Sequence, residues 1–540
     1  MIKKLFAISL ICVVGYALAE TSNDELTRLA TEDYARMVRP AWENGGAFWN
    51  LRAMHFMYPP AFNFTAYPSA KEYDYRIIDD QFHFFRFRSP SPNEPLTNVW
   101  SKICTGLTTV ICDARGADGK SVGLSGVRHF WKSAPFKPGA YPPAKRPYAE
   151  AAAKTYEYIF NLPPIQTLLK TGKPDPTYKL NCYPTKIGSA LISAMVRYAK
   201  AVPGKSADAL KLARAMADYL IAISEPAGAP LGGMPPTYET HEAFKRLTAV
   251  EYAGQTMMLY PADGGNAYLD LFYATDERKY RDAALTIAER YLSLQGEDGS
   301  WYLKLYLKDG KPVTPNRCHP TRIAEFLERV YAETKDVKYR AAADRAFTFV
   351  EKGPLADWNW EGQFEDVDPT KKYLNLTKYP ACEAASYMLS RFPEDRRKLA
   401  LARELLRFSE DQFVNWERPC RPDGTGILTH REWMKPDDDQ AKYLEWLDFP
   451  NAMEQYYWYI PIDASTARLI YTYLALYRAT KNPLDLAKAK AMGDTLTRVQ
   501  FDSGRIPTEL SKFKLADPMT DWLNCMIYSA CALEELAQFQ

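Results

Sequence analysis

The sequence predicts a mainly α protein, a ring of helical hairpins preceded by a small β-sandwich. Three observations carry this. Apolar residues recur at helical spacing from about residue 145 onward, the links between helices alternate between short and long, and residues 59–136 instead hold short aromatic and β-branched runs. The chain has 540 residues, 47% hydrophobic and 25% charged, which excludes disorder and fibrous repeats. Its 68 basic and 66 acidic side chains leave a net charge of +2, so the basic excess of a nucleic-acid binder is absent. Aromatics are abundant, with 12 Trp, 36 Tyr and 25 Phe, and their placement decides whether they fill a core or line a sugar site.

The N-terminus reads Met1-Ile2-Lys3-Lys4, an apolar run from Leu5 to Tyr16, and Ala17-Leu18-Ala19 before Glu20. A basic n-region, an apolar stretch too short to span a bilayer and a small-x-small site predict a signal peptide over 1–19. The expectation is an exported protein of bacterial type, periplasmic or secreted. Ile11 precedes Cys12 where a lipoprotein signal wants a small residue, and no later segment has 18 consecutive apolar residues, so no membrane anchor is expected. Residues 20–58 read as an N-terminal helical segment. Beyond the leader, cysteines 104, 112, 182, 318, 382, 420, 525 and 531 form neither CxxC pairs nor a Cys/His cluster with zinc spacing. No metal and no cofactor is expected; Cys104 with Cys112 is the most local pair that can form a disulfide.

Phe62–Tyr67, Tyr73–Ile78, His83–Arg88, Leu107–Cys112 and Val127–Trp131 are the strand signals, with a turn at Asp118-Gly119-Lys120. They predict a β-sandwich over 59–136, whose pattern resembles fibronectin type III or immunoglobulin-like modules and whose simplest role is to brace the larger domain.

From 137 to 540 the helical period dominates. Twelve segments are expected, at about 147–161, 187–200, 206–223, 264–275, 277–294, 319–334, 336–352, 379–391, 395–413, 464–480, 483–500 and 521–538. The even-numbered helices are followed by links of a few residues and the odd-numbered ones by long connectors, including 224–263, 295–318, 353–378 and 414–463. Such alternation gathers every long connector at one end of the bundle, the end available for function. Charge separates two sets. Windows 187–198, 264–275, 379–390, 464–475 and 521–532 hold one charged residue each, whereas 281–292, 396–407 and 484–495 hold four, six and four. The first set is expected to form an inner ring and the second an outer ring. The helix at 319–334 is more charged than its class.

Six such hairpins, with Gln295-Gly296-Glu297-Asp298-Gly299-Ser300-Trp301 in an outer-to-inner connector, resemble the (α/α)6 barrel of the six-hairpin glycosidase superfamily over about 145–540. The resemblance implies an (α/α)6 toroid and a carbohydrate-active enzyme, without a catalytic motif of any one family.

Candidate chemistry lies in the long connectors. Asp357-Trp358-Asn359-Trp360-Glu361-Gly362-Gln363-Phe364-Glu365-Asp366 joins carboxylates to indoles. Glycoside cleavage needs one protonated and one ionised carboxyl group, and apolar neighbours raise a carboxyl pKa, so Glu361, Glu365 and Asp366 lead the catalytic candidates. Glu239, His241, Asp263 and His319 follow as acids or proton shuttles; no second His follows His241-Glu242 at zincin spacing. Trp301, Trp358, Trp360 and Trp458 are expected to stack on sugar rings. Arg317, Arg322 and Lys378 would pair with a substrate carboxylate. Asn181, Tyr183, Asn266, Gln363, Tyr379, Asp448 and Tyr457 complete the expected binding rim. The reading is a glycoside hydrolase releasing a terminal uronic sugar from polysaccharide-derived oligosaccharides. A polysaccharide lyase, a sugar epimerase and a glycan-binding protein are the alternatives.

Overall fold

The computed structural model describes residues 21–36, 55–239, 251–366, 371–418, 446–456, 460–511 and 521–540, with positions 38, 42–43, 46–47, 53, 369 and 519 between them. The expected leader, residues 1–19, lies outside the described residues.

Helix α1 (Asn23–Tyr34) opens the chain, capped by the Ser22 side chain. Twelve long helices follow from residue 148. They are α2 (Tyr148–Asn161), α3 (Pro184–Ala201), α4 (Ser206–Ala222), α5 (Tyr260–Thr275), α6 (Arg278–Leu294), α7 (Thr321–Thr334), α8 (Val337–Lys352), α9 (Tyr379–Arg391), α10 (Arg396–Phe413), α11 (Asp463–Thr480), α12 (Pro483–Val499) and α13 (Leu523–Leu536). Each expected segment is present, with its ends moved by no more than four residues. Helices α3, α5, α7, α9, α11 and α13 each contact the next, and α13 returns to α3, so the inner ring closes. Each inner helix packs against an outer partner: α4, α6, α8, α10 and α12 follow theirs directly, while α2, first in sequence, pairs with α13. This is the (α/α)6 toroid. Because every short link runs from inner to outer helix, the N-termini of all six inner helices point to the end that carries the long connectors.

The Gln295–Trp301 stretch is a structural clip. Gly299 sits at φ +91°, and a Cβ there would lie 2.3 Å from the Arg345 carbonyl oxygen. Gln295 donates to the carbonyls of Gly299 and Ala342, tying the turn to α8. Gln500 and Gly504 repeat the device after α12, where Gln500 donates to the Ala151 carbonyl and a Cβ at Gly504 would lie 2.1 Å from that of Lys154.

Ahead of the toroid stands a single five-stranded sheet, β1 (His55–Phe56), β2 (Glu72–Ile78), β3 (Phe84–Ser89), β4 (Gly106–Arg115) and β5 (Ser121–Lys132), in the order β1-β5-β4-β2-β3. The contacts are antiparallel except β1 with β5. The sequence pattern predicts a β-sandwich over 59–136; the described strands of that region belong to this one five-stranded sheet. The expected strand Phe62–Tyr67 is instead an irregular segment whose Phe62 and Phe64 rings pack on Phe130 and Tyr75 of the sheet. With Trp100 stacked on Phe130, aromatic loops cover the inner face that a second sheet would cover. The Asp118–Lys120 turn forms as expected, with Gly119 at φ +76°.

The sheet is fastened to the toroid at α10. Asp411 accepts from the backbone N–H groups of Met57 and Tyr58 at 2.7 Å, and Gln412 donates to the His55 carbonyl. Helix α1 is held by Asp33, which pairs with Arg407 and Lys488. The seven described cysteines are all thiols. Cys104 and Cys112 cannot meet, because Cys112 lies well along the extended strand β4, about 20 Å from its start.

Candidate active site

A narrow cavity of about 80 Å3 opens at the inner-helix N-termini. Its walls come from the first two turns of all six inner helices: Lys186 on α3, Tyr260 on α5, Arg322 on α7, Tyr379, Pro380 and Glu383 on α9, Ala464 and Arg468 on α11, and Asn524, Cys525 and Tyr528 on α13. Leu259, His319, Gln363, Phe364 and Glu454 reach in from the connectors. Six helix N-termini converge here, and their dipoles favour negative charge.

Two layers of paired charge build the site. In the upper layer Glu365, 1% exposed, receives Lys186 on one carboxylate oxygen and the Tyr260 hydroxyl on the other, while its carbonyl accepts from Tyr238 at 2.8 Å. Burial opposes its ionisation, but Lys186 outweighs burial and holds the carboxyl below its ordinary range. One helical turn below, Arg322 bridges Asp263 at 3.0 Å and Glu383 at 2.8 Å, and Arg468 approaches Glu383 at 3.4 Å. Burial likewise acts against Glu383 ionising, and the two guanidinium groups overcome it. Asp263 is pushed up by burial, only partly offset by Arg322. Among the described residues Arg468 has no ion pair besides this one; it lines the cavity with its guanidinium over the Tyr379 ring.

Two carboxyl groups are poised the other way. Asp366, next to Glu365 in the chain, is exposed and is not among the cavity-lining residues, yet the surrounding protein and then the charge of Glu365 push its pKa up to about 6. Glu325, three residues past Arg322 on α7, is pushed up to about 7 by burial and by Glu383. His319 is 8% exposed and neither ring nitrogen has a hydrogen-bond partner among the described residues. Burial holds its pKa down to about 4, so the imidazole is neutral at pH 7. The Asn524 side-chain oxygen, also buried on the cavity wall, has no partner either.

Of the residues expected from sequence, the structure brings Glu365, Asp366, His319, Gln363, Arg322, Asp263 and Tyr379 to this end of the axis. Gln363 accepts from the His319 backbone N–H at 2.8 Å and so sets that loop against α7. Other expected residues serve elsewhere. Trp301, Trp358 and Trp360 are no more than 1% exposed, so they offer no open face to a sugar ring. Trp301 donates to the Tyr291 carbonyl at 2.9 Å, and Trp358 packs edge-on against Phe408. Lys378 is fully buried and its ammonium group binds the carbonyls of Met453 and Glu454, both at 2.7 Å, so it is a structural pin and not a carboxylate receptor. Arg317 clamps Asp298 in the Gln295–Trp301 turn, at 2.6 Å. Asp448 pairs with Arg498 on the outer helix α12, and Asn181 donates to the Asp175 carbonyl. Glu239 accepts from Tyr219 of outer helix α4. Glu361 lies in a bridge with Leu376 and does not line the cavity. Asn266 sits deeper on α5, bonded to Arg329, and Tyr183 stacks on Trp522. His241, Tyr457 and Trp458 lie outside the described residues.

Sequence reasoning missed Lys186, Tyr260, Glu325, Glu383, Arg468, Asn524 and Tyr528 as site residues. The signal existed. Glu383 and Arg468 are the single charges in two otherwise uncharged inner-helix windows, and the excess charge of α7 includes Arg322 and Glu325. A charge on a helix buried on every side has to face either a partner or the axis.

Neither a protein-family model nor a curated relative matches the sequence. Solved structures of similar helix arrangement exist at low identity. A family 76 glycoside hydrolase from a bovine Bacteroides thetaiotaomicron strain is 11% identical, with a TM-score of 0.48 over 88% of this chain and 96% of that one. Cellobiose 2-epimerase from Spirochaeta thermophila is 13% identical, with a TM-score of 0.48 over 73% of this chain and 96% of that one. An unsaturated glucuronyl hydrolase specific for heparin is 9% identical, with a TM-score of 0.43 over 73% and 97%. No residue role is carried over from them.

Proposed function

We propose that the protein is an exported carbohydrate-active enzyme, a glycoside hydrolase that removes a terminal acidic sugar from oligosaccharides. The observation that supports this is a carboxyl group pushed up to about 6, Asp366, close enough to Lys186 and Glu454 of the cavity wall to feel their charge, beside carboxylates kept ionised by Lys186 and by Arg322 with Arg468. Hydrolysis of a glycosidic bond uses such unequal carboxyl groups. Asp366 is assigned as general acid, protonating the leaving oxygen. Glu365 has both oxygens engaged and serves to raise the pKa of Asp366. Glu454, half-buried on the cavity wall and accepting from Ser465 at 2.7 Å, is assigned as the carboxylate that activates water or attacks the sugar carbon. Arg468, a cation on the cavity wall, would take a substrate carboxylate, and the edge-to-face pair Phe364 and Tyr379 supplies apolar surface for the ring. The narrow cavity, closed below by the Arg322 layer, suits a chain end better than a chain middle.

His319 supports one alternative. A neutral, unpaired imidazole is equipped to take a proton beside a sugar carboxylate, as β-elimination or epimerisation requires. Incubation with uronate-terminated oligosaccharides separates the readings. Release of the free terminal sugar supports hydrolysis, the appearance of an ultraviolet-absorbing unsaturated uronate means elimination, and binding without any product would remove both.

A further inference from the structure

At the end of the sheet, away from the residues that line the toroid cavity, the turn between β2 and β3 brings Asp79 and His83 against Cys104, just ahead of β4. One ligand atom from each lies within 4.8 Å of the others. His83 Nδ1 is 3.2 Å from Asp79 Oδ2 and 3.6 Å from Cys104 Sγ. For tetrahedral zinc with bonds of about 2.0 Å to nitrogen and oxygen and about 2.3 Å to sulfur, the N···O edge is about 3.3 Å and the N···S edge about 3.6 Å. The observed separations match both edges.

The geometry points to a divalent metal site, with Asp79 Oδ2, His83 Nδ1 and Cys104 Sγ as three ligands and zinc as the preferred ion. A carboxylate, an imidazole and a thiolate form a donor set that a borderline-soft ion accepts and that magnesium or calcium does not. The carboxylate is held in place before any ion arrives. Asp79 is buried, its Oδ1 accepts from the N–H groups of Gln81 and His83, and its Oδ2 accepts from that of Cys104 at 3.0 Å. The neighbouring cation, Lys132, is occupied by the carbonyls of Trp100 and Ile103. Access comes from the His83 side, whose side chain is 55% exposed. An ion here would staple the β2–β3 turn to the segment leading into β4. Sequence spacing concealed the site, because its third ligand comes from 21 residues beyond His83.

The test uses the full-length protein stripped with a chelator. Titration with Zn2+ in competition with a chromophoric chelator is expected to show one equivalent per chain, and Co2+ is expected to give a thiolate-to-metal charge-transfer band. Cys104→Ser should abolish that band, and Cys104→Ser and His83→Ala should each weaken zinc binding more than about tenfold while far-UV circular dichroism stays unchanged. Substoichiometric binding, Co2+ bound without the thiolate band, or full affinity in both variants would overturn the assignment.

Discussion

The inner-helix N-termini and the tryptophans of the long connectors occupy the same end of the toroid but exchange the roles their composition suggests. Connector indoles, rich in apolar surface, are buried: Trp301, Trp358, Trp360 and Trp416 are each at most 1% exposed. The inner helices carry fewer charges, and some of these, Arg322, Glu383 and Arg468, line the cavity, whereas others such as Arg197 with Glu534 and Asp270 with Arg329 pair away from it. The difference follows from cost. Trp301 and Trp416 donate their indole N–H groups to the Tyr291 carbonyl and Glu410, and the apolar area of Trp360 is buried even though its N–H has no partner among the described residues, whereas a charge on a buried helix is tolerated only beside another charge or a ligand. A lone charge in an apolar helix therefore marks a partner as often as the cavity: Glu383 and Arg468 line it, while Arg197, Asp270 and Asp521 pair with Glu534, Arg329 and Arg505.

The largest expected effect would break the comparison outright. If the axis end carries the chemistry, Asp366→Asn lowers kcat about 10²- to 10⁴-fold with the fold intact, read from steady-state kinetics. Unchanged turnover would move the acid deeper, to Glu325. The tryptophans should respond in the opposite currency. Trp360→Ala is expected to destabilise the protein by about 3–5 kcal/mol through loss of core packing, measured by denaturant unfolding, with KM little altered in the folded fraction. A large KM effect without destabilisation would return Trp360 to the binding surface.

Smaller effects sharpen the axis assignment. Arg468→Ala should raise KM for a carboxylate-bearing substrate about tenfold to a hundredfold, consistent with loss of a charged hydrogen bond, and leave a neutral analogue nearly unaffected. The smallest effect is in the pH profile. Asp366 must be protonated to act as acid, so the alkaline limb of the profile falls as pH rises through about 6, while activity is also lost in acid as the partner carboxylate is protonated. The charge of Glu365 contributes to raising that pKa, so Glu365→Gln should move the falling limb to lower pH. A limb that stays in place would assign it to another group.

The helical period, the alternating connectors and the charge split between helices were sufficient to define the toroid, because each reports on which surfaces a helix can bury. The same reasoning placed Glu365, Asp366 and His319 at the end of the toroid that carries the long connectors. It failed where contact decided the outcome. Whether Lys378 meets a substrate or the carbonyls of Met453 and Glu454, whether Phe62–Tyr67 pairs as a strand or lies as a lid on the sheet, and which residue meets His83 all depend on groups distant in sequence. Periodicity thus determined the helices and their order. Only the closed ring decided which side chains share the axis, because burial and ion pairing are properties of the assembled neighbourhood and not of any local stretch of chain.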